Sequence, residues 1–264
     1  MIEEKPQKTV RAAERTLKIL FVIAGAPAPL SLGEISAAAD VDKATALRLL
    51  ATLEAFRLVH RDDQSRKFTM GSGAWQLASS YQAELKSVAE PHLRTLRDRT
   101  EETVSLVVAR GLERVVLMAM EASQELRVVP ALNRVTPVYS GASGKVLMAF
   151  MPEAERDRVI DLTGLKPVNE RSLTDRESFL ATLEAVRRQG YAVSVGDVTL
   201  GAVAIAAPVS GPQGTVAASV SLRGPEARLT ADRVNRLAPL VVEAARGITE
   251  DWAGHGMPSL AAKA

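Results

Sequence analysis

Residues 31–56, SLGEISAAADVDKATALRLLATLEAF, constrain the fold more tightly than any other stretch of the chain. Ser31 followed by Glu34 has the spacing of a capping box, in which each side chain satisfies the other's backbone N–H. It predicts a short helix over about 32–39. Asp40 occupies a tight turn, and a second helix starts near Asp42 and runs to about Phe56. In that helix Ala46, Leu49, Leu50 and Leu53 form one apolar stripe, and Thr45, Arg48 and Thr52 form a polar stripe pointing away from it. A helix packed on one face and offering Thr and Arg on the other suits the major groove. Arg donates two hydrogen bonds to guanine, and Thr reaches a phosphate or a thymine methyl. An ordinary amphipathic surface helix has the same pattern.

The flanking sequence narrows the choice. Residues 10–24 place Ala13, Leu17, Leu20 and Ala24 close to a helical repeat, and Gly25-Ala-Pro-Ala-Pro29 ends it. After the two short helices, 57–61 and 66–70 read as strands around the polar turn 62–65, a hairpin carrying Arg61, Arg66 and Lys67 at its tip. These cations suit the phosphate backbone or the minor groove, though charged hairpin tips also serve solubility. From Ala74 to about Arg99 the pattern is helical with an interruption at Pro91, predicting a linker helix followed by the first helix of a second domain.

Beyond Thr103 the character changes. Residues 103–110 and 114–121 are β-rich around a turn at Gly111, and 126–129 are short and extended. Residues 143–150, 152–161 and 176–189 read as helices, and 191–195, 203–209 and 215–223 as strands. A final helix over about 230–252 precedes a tail rich in Gly, Pro and Ala. The boundaries expected are 1–72 for the first domain, 73–88 for the linker helix, 89–254 for the second domain and 255–264 for a flexible tail.

Composition excludes several chemistries. The chain has no cysteine, which removes disulfides, thiolate metal sites and cysteine nucleophiles. His60, His92 and His255 are far apart with no ligand spacing, so neither a metal nor a cofactor is expected. No apolar run is long enough for a membrane span, and MIEEKPQKTV at the start is unlike a signal peptide, which points to the cytoplasm. Residues 1–70 hold 11 Lys and Arg against 9 Asp and Glu, while the remaining 194 residues hold 22 against 22. The small basic excess therefore sits in the N-terminal quarter of the chain, a weak pointer because phosphate binding needs a local basic face rather than a large total.

Two apparent catalytic motifs fail. Gly141-Ala-Ser-Gly144-Lys145 has two residues between its glycines where a phosphate-binding loop needs four, and Val146 stands where that loop needs Ser or Thr. Ser143 near Lys145 has the residue types of a nucleophile pair, but no further motif supports it, and a helix-capping role is expected instead.

At this point the sequence resembles the IclR family of bacterial transcription regulators. The resemblance runs in order through Glu14-Arg15 with Leu17 and Ile19-Leu20, residues 30–36, and Lys43-Ala44-Thr45 with Arg48-Leu-Leu50. It continues through 68–71, 140–149, 190–193, Gly196-Asp197, Gly201, 206–209, and 219–221 with Gly224-Pro225. The family's turn glycine is here Asp40, which tolerates the left-handed conformation, and its Glu in the second domain is here Asp197.

The resemblance implies an α+β chain: an N-terminal winged helix-turn-helix domain, a linker helix, and a C-terminal GAF/PAS-like effector-binding domain with an antiparallel sheet. Ser31, Lys43, Ala44, Thr45, Arg48 and Thr52, with Arg61, Arg66 and Lys67, would contact operator DNA. Val128, Thr136, Ala142, Ser143, Ser194, Ala204, Ser221 and Arg223 would line the effector pocket, with Asp197 close by.

Strand alternation adds Ser219, placing Ser219, Ser221 and Arg223 on one face and Val216, Ala218, Val220 and Leu222 on the other. Two hydroxyls, a guanidinium and the helix start at Ser140–Gly144 suit a small organic carboxylate, aromatic ones included. A solvated sheet face with a charged end is the alternative reading. Ala142, Ala202 and Ala204 would leave room for the ligand's apolar body.

The expected function is a ligand-responsive DNA-binding regulator of a catabolic operon, acting as a homodimer or homotetramer with Trp75, Leu77 and Tyr81 as candidate anchors. The competing reading is a small-molecule hydrolase or transferase recruited by the N-terminal module. A third is a purely architectural DNA-binding protein. No nucleophile–base–acid set and no metal spacing supports the enzyme.

Overall fold

The computed structural model describes residues 10–130 and 136–255, with side chains to Ala253. The tail expected from position 255 falls outside them, apart from the backbone of His255, as do residues 1–9. The chain divides into two compact units, residues 1–83 and 84–264.

The first unit begins with α1 (Arg11–Ala24), α2 (Leu32–Ala39) and α3 (Lys43–Ala55). Strands β1 (Val59–Arg61) and β2 (Phe68–Met70) follow as an antiparallel hairpin, and Leu30 makes a single bridge to Phe68 at its edge. Ser31 and Glu34 form the capping box, and Asp42 caps α3 by accepting from Thr45 N–H at 2.9 Å. Asp40 makes the turn in the left-handed region, φ 53°. Ile19 and Ile23 of α1, Ile35 of α2, Ala46, Leu50 and Leu53 of α3, and Phe68 of the wing form one apolar core.

The face of α1 differs from the sequence expectation. Ile19 and Ile23 are buried, while Ala13, Leu17 and Ala24 are exposed and Leu20 is half-buried. Residues 17–24 are apolar almost all round, so periodicity does not select a face; packing against α2 and α3 does.

The helix α4 (Ser72–Thr100) runs without a break and carries Pro91 inside it. The expected interruption is absent. Proline removes one helical hydrogen bond and costs about 3 kcal/mol. On either side Leu85, Val88, Ala89, Leu93 and Leu96 are buried, and each large one contributes about 1.5–3 kcal/mol. The ring itself is exposed.

In the second unit, β3 (Thr103–Arg110), β4 (Glu113–Met120), β5 (Thr136–Pro137), β6 (Ala192–Val195), β7 (Ala202–Ser210) and β8 (Val216–Pro225) form one antiparallel sheet in the order β5-β4-β3-β8-β7-β6. Residues 126–129 are not a strand, and the two-residue β5 was not anticipated. Against one sheet face pack the second half of α4 and α8 (Ala231–His255), around Val104, Leu106, Val220, Leu222, Val241 and Trp252. Against the other pack α5 (Gly141–Phe150), α6 (Glu153–Thr163) and α7 (Arg176–Gln189), with Val107, Val146, Met148, Phe179 and Ala206.

The alternation along β8 holds for Ala218, Val220 and Leu222, which enter the α8-side core. Val216 instead packs toward α5. A register shift between Val209 and Ser210 lets an extra residue, Ala217, into β8, and such a bulge flips the side chain before it.

Candidate DNA interface and ligand cavity

The DNA-facing candidates divide by what already holds them. On α3, Lys43, Ala44, Arg48 and Thr52 are exposed and Thr45 is half-buried. Thr52 donates to the Arg48 carbonyl at 3.2 Å, a local bond within the helix. Leu47 is also 44% exposed between Ala44 and Arg48. The sequence reading did not single it out, because its period fits neither stripe. Ser31 is committed to its cap: its hydroxyl donates to Glu34 Oε2 at 2.7 Å.

In the wing, Arg66 and Lys67 are exposed. Arg61 lies half-buried with its guanidinium 5.1 Å from the centre of the Phe68 ring. Arg61 is thus part of the wing's own packing. Among the described residues, Lys43, Arg48, Arg57, Arg61, Arg66 and Lys67 make no salt bridge. Several exposed cations outside any salt bridge suit a phosphate backbone.

The second unit buries its polar groups. Beneath α5 the register aligns Ser221 with Ser105 and Ala206, and Arg223 with Thr103 and Ala204, all on the α5 side of the sheet. The hydroxyls of Ser105, Ser143, Ser219 and Ser221 and the Nε of Arg223 are buried with no hydrogen-bond partner. Burial pushes the Arg223 guanidinium down to about 10, and nothing offsets it. The neighbouring acid just before β3 is not available to it. Glu102, fully buried, accepts from Arg228 Nε at 2.6 Å and from a terminal nitrogen at 2.7 Å, and Arg233 stands 3.6 Å away.

A cavity opens among these groups. Of the expected effector residues, Val128, Ala142, Ser143, Ser194, Ala204, Ser221 and Arg223 line it, together with Ala202. Thr136, Asp197 and Ser219 do not. Thr136 pairs with Arg114 in the β4–β5 ladder, and Ser219 lies deeper under α5, opposite Val107 and Pro208. Asp197 is turned elsewhere: Lys145 Nζ stands 2.7 Å from its Oδ2, with both side chains largely buried. The same pairing ties up the lysine that stood near Ser143. Ser143 does not cap α5, which starts two residues earlier. It sits in the first turn with its hydroxyl unpartnered.

The start of α5 is built on glycine. Gly141 has φ +70°, and a Cβ at Gly144 would meet the Val138 carbonyl oxygen at 2.3 Å, so only glycine lets the helix sit this close. The helix's first N–H groups are thereby presented at the cavity wall.

Arg114, Gly141, Val198, Thr199 and Val203 also line the cavity and were not anticipated. Arg114 is nearly fully buried, and its Nε donates to the Ser140 carbonyl at 3.0 Å. No local pattern marked it, because it reaches the cavity from a strand two places away from β8 in the sheet.

Comparison with known proteins places this architecture. Residues 12–63 match the IclR helix-turn-helix domain, and residues 78–250 match the bacterial transcriptional regulator IclR C-terminal domain. The HTH-type transcriptional repressor AllR of Escherichia coli strain K12 is 31% identical over 249 residues, covering 94% of this chain and 92% of AllR. The crystal structure of Thermotoga maritima IclR superposes with a TM-score of 0.62 at 26% identity, over 91% of this chain and 98% of that one. An IclR homolog of Microbacterium hydrocarbonoxydans, complexed with 4-hydroxybenzoate, gives 0.61 at 24% identity, over 92% and 99%. With a helix-turn-helix outside and a sheet that buries unpaired polar groups inside, this chain belongs to the IclR family: it is a ligand-responsive DNA-binding regulator of transcription, not an enzyme.

Proposed function

We propose that this regulator binds operator DNA as a homodimer or dimer of dimers, as a repressor in the manner that AllR's name states, and that a small organic carboxylate in the second unit alters its DNA affinity. The observation that carries the ligand class is Arg223: a buried guanidinium with no acidic partner among the described residues, beside the first turn of α5. A carboxylate there receives charge-assisted bonds and relieves the cost of burying the cation. The Microbacterium homolog shares the fold, and its bound acid is of the same class.

The cavity has a volume of about 30 Å³ in this structure, room for about two waters. An organic acid therefore enters by pushing the wall outward. Val198 and Thr199 belong to a segment bounded by Gly196 and Gly201, both at positive φ, where the backbone can turn. Such movement is what makes binding felt: a ligand changes DNA affinity only as far as it prefers one conformation.

On the DNA side, α3 would enter the major groove with Lys43, Ala44, Thr45, Arg48 and Thr52, with Ser31 at the preceding cap and Arg61, Arg66 and Lys67 of the wing at the flanking backbone. One such module reads too few base pairs for selective binding. Trp75, Leu77 and Tyr81 are exposed on α4, and Leu17 and Phe21 on α1, apolar surface suited to a second copy. Among the described residues no helix is long and apolar enough to cross a membrane, and we assign the protein to the cytoplasm with its DNA.

The test is a fluorescence-anisotropy titration on the protein's own upstream DNA, with and without a panel of organic acids and their amides. Acids are expected to change operator affinity and amides not to, and Arg223→Gln is expected to abolish the response while keeping DNA binding. Equal effects of acids and amides would overturn the carboxylate reading. A monomer by sedimentation that still binds operator tightly would overturn the dimer.

A further inference from the structure

The outward face of α3 is more apolar than its polar stripe suggests. Ala44, Leu47, Arg48, Ala51 and Thr52 are exposed, Leu47 by 44%. At about 100° per residue, Ala44 and Ala51 share the middle of that face, with Arg48 to one side of them and Leu47 to the other. Small side chains in the middle let a helix sit close to the floor of a groove. The two longer ones then reach base edges on either side. Leu47 is the fifth residue of α3, in the N-terminal half that meets bases when a recognition helix lies in the major groove.

The surroundings select the partner. Residues 43–52 contain no acid, and Lys43 and Arg48 make no salt bridge among the described residues. This surface suits a polyanion, yet Leu47 offers nothing to a phosphate. A second copy laid symmetrically on the same face would set Lys43 and Arg48 against their own copies, which repels. The major groove does present one apolar group on its base edges, the C5-methyl of thymine.

We propose that Leu47 is a specificity-determining residue of this regulator: flanked by Ala44 and Ala51, it packs on a thymine methyl in each operator half-site, close to the base pair that Arg48 reads. This rests on the reading that α3 enters the major groove. Cytosine in the same place would present its amino group, a donor that leucine leaves unsatisfied.

The experiment uses the full-length protein on its own upstream DNA, narrowed by footprinting to the protected duplex. Each thymine is replaced singly by deoxyuridine, which keeps every hydrogen-bonding atom and lacks only the methyl. Fluorescence-anisotropy titration should find a thymine in each half-site whose methyl is worth about threefold to fivefold in affinity, the scale of one buried carbon. Leu47→Ala should weaken binding to the unmodified duplex by at least as much, and should bind the thymine and uracil duplexes equally at that position. Its thermal melt should match wild type, since the side chain is exposed.

The inference is overturned if no thymine's methyl effect disappears in Leu47→Ala, or if that variant melts well below wild type, which would make Leu47 a packing residue. A flat uracil scan together with weakened self-association of Leu47→Ala in sedimentation would give this face to a second copy instead. If the scan is flat while Arg48→Ala loses specific affinity, Leu47 fails as a reader and α3 stands. If Arg48→Ala also changes nothing, both fail.

Discussion

The two units treat polar groups in opposite ways. In the first, every hydroxyl and carboxylate that shapes the fold is satisfied locally and near the surface: Ser31 with Glu34, Asp42 with Thr45, Asp62 with Ser65. Its core is apolar, and Lys43, Arg48, Arg66 and Lys67 are exposed and make no salt bridge among the described residues. In the second, four serine hydroxyls and the Nε of Arg223 are buried with no hydrogen-bond partner among the described residues. A buried polar atom without a partner costs about 1–3 kcal/mol, so natural folds keep few of them. On the function proposed, the first unit acts through its outside and the second through its inside. Mutation should therefore separate stability from function differently in each.

The largest expected effect contrasts the two interiors. Leu50→Ala in the apolar core of the first unit should cost about 2–5 kcal/mol, and operator binding would fail because that unit unfolds. Ser221→Ala, equally buried, should leave ligand-free stability within about 1 kcal/mol of wild type or raise it, since it removes a hydroxyl with nothing to bond. Acid affinity should fall in the same variant. Urea unfolding followed by circular dichroism checks the pair. A large loss of stability for Ser221→Ala would mean that its hydroxyl has a structural partner, and the contrast would collapse.

Next in size is a change on the outer surface. Arg48→Ala should weaken specific operator binding by about 1–3 kcal/mol, the value of one good base contact, with the melting temperature unchanged because the side chain is exposed. Undiminished specific affinity in a gel-shift titration would remove α3 as the reading helix.

A smaller and differently shaped effect belongs to the wing. Neutralising Arg66 and Lys67 together should reduce the slope of log affinity against log salt by roughly one unit per phosphate contact, for specific and random DNA alike. Arg61→Ala should do this and also destabilise the wing by about 0.5–1 kcal/mol, because its guanidinium stacks on Phe68. A shift in base preference with no change of slope would contradict the backbone role.

The smallest effect is a pH dependence. The Ser31 backbone and hydroxyl donors hold Glu34 below the usual carboxylate range, the Thr45 donors do the same for Asp42, and the Ser65 donors for Asp62. A depressed folded-state pKa means that the stabilisation is fully present above the unfolded value and is lost as pH falls through the folded one. Melting of the first unit should therefore soften below about pH 4. All three groups are exposed, so the change should be modest and should shrink with added salt. An acid-independent melting temperature down to pH 3 would show that these caps do not matter to the fold.

Much of this molecule was legible along the chain because the relevant physics is local. A capping box, turn residues and hydrophobic period set α2, α3 and α7 without help from distant residues. The period of two along β8 separated Ser219 and Ser221 from Val220 and Leu222, since a strand's two faces alternate wherever the backbone is regular. Ordered family motifs then supplied the helix-turn-helix and sensor assignment.

Tertiary structure decided what depends on residues far apart in sequence. It chose Ile19 and Ile23 as the inner face of α1, kept α4 continuous through Pro91, and flipped Val216 with a bulge set by its partner β7. It turned Asp197 toward Lys145, 52 residues away. Above all, the strand order β5-β4-β3-β8-β7-β6 brought Arg114 and Arg223 to one cavity. No local pattern encodes that meeting, because a side chain's burial and charge environment are set by which strands the sheet places beside it, and strand order is a property of the whole packed domain.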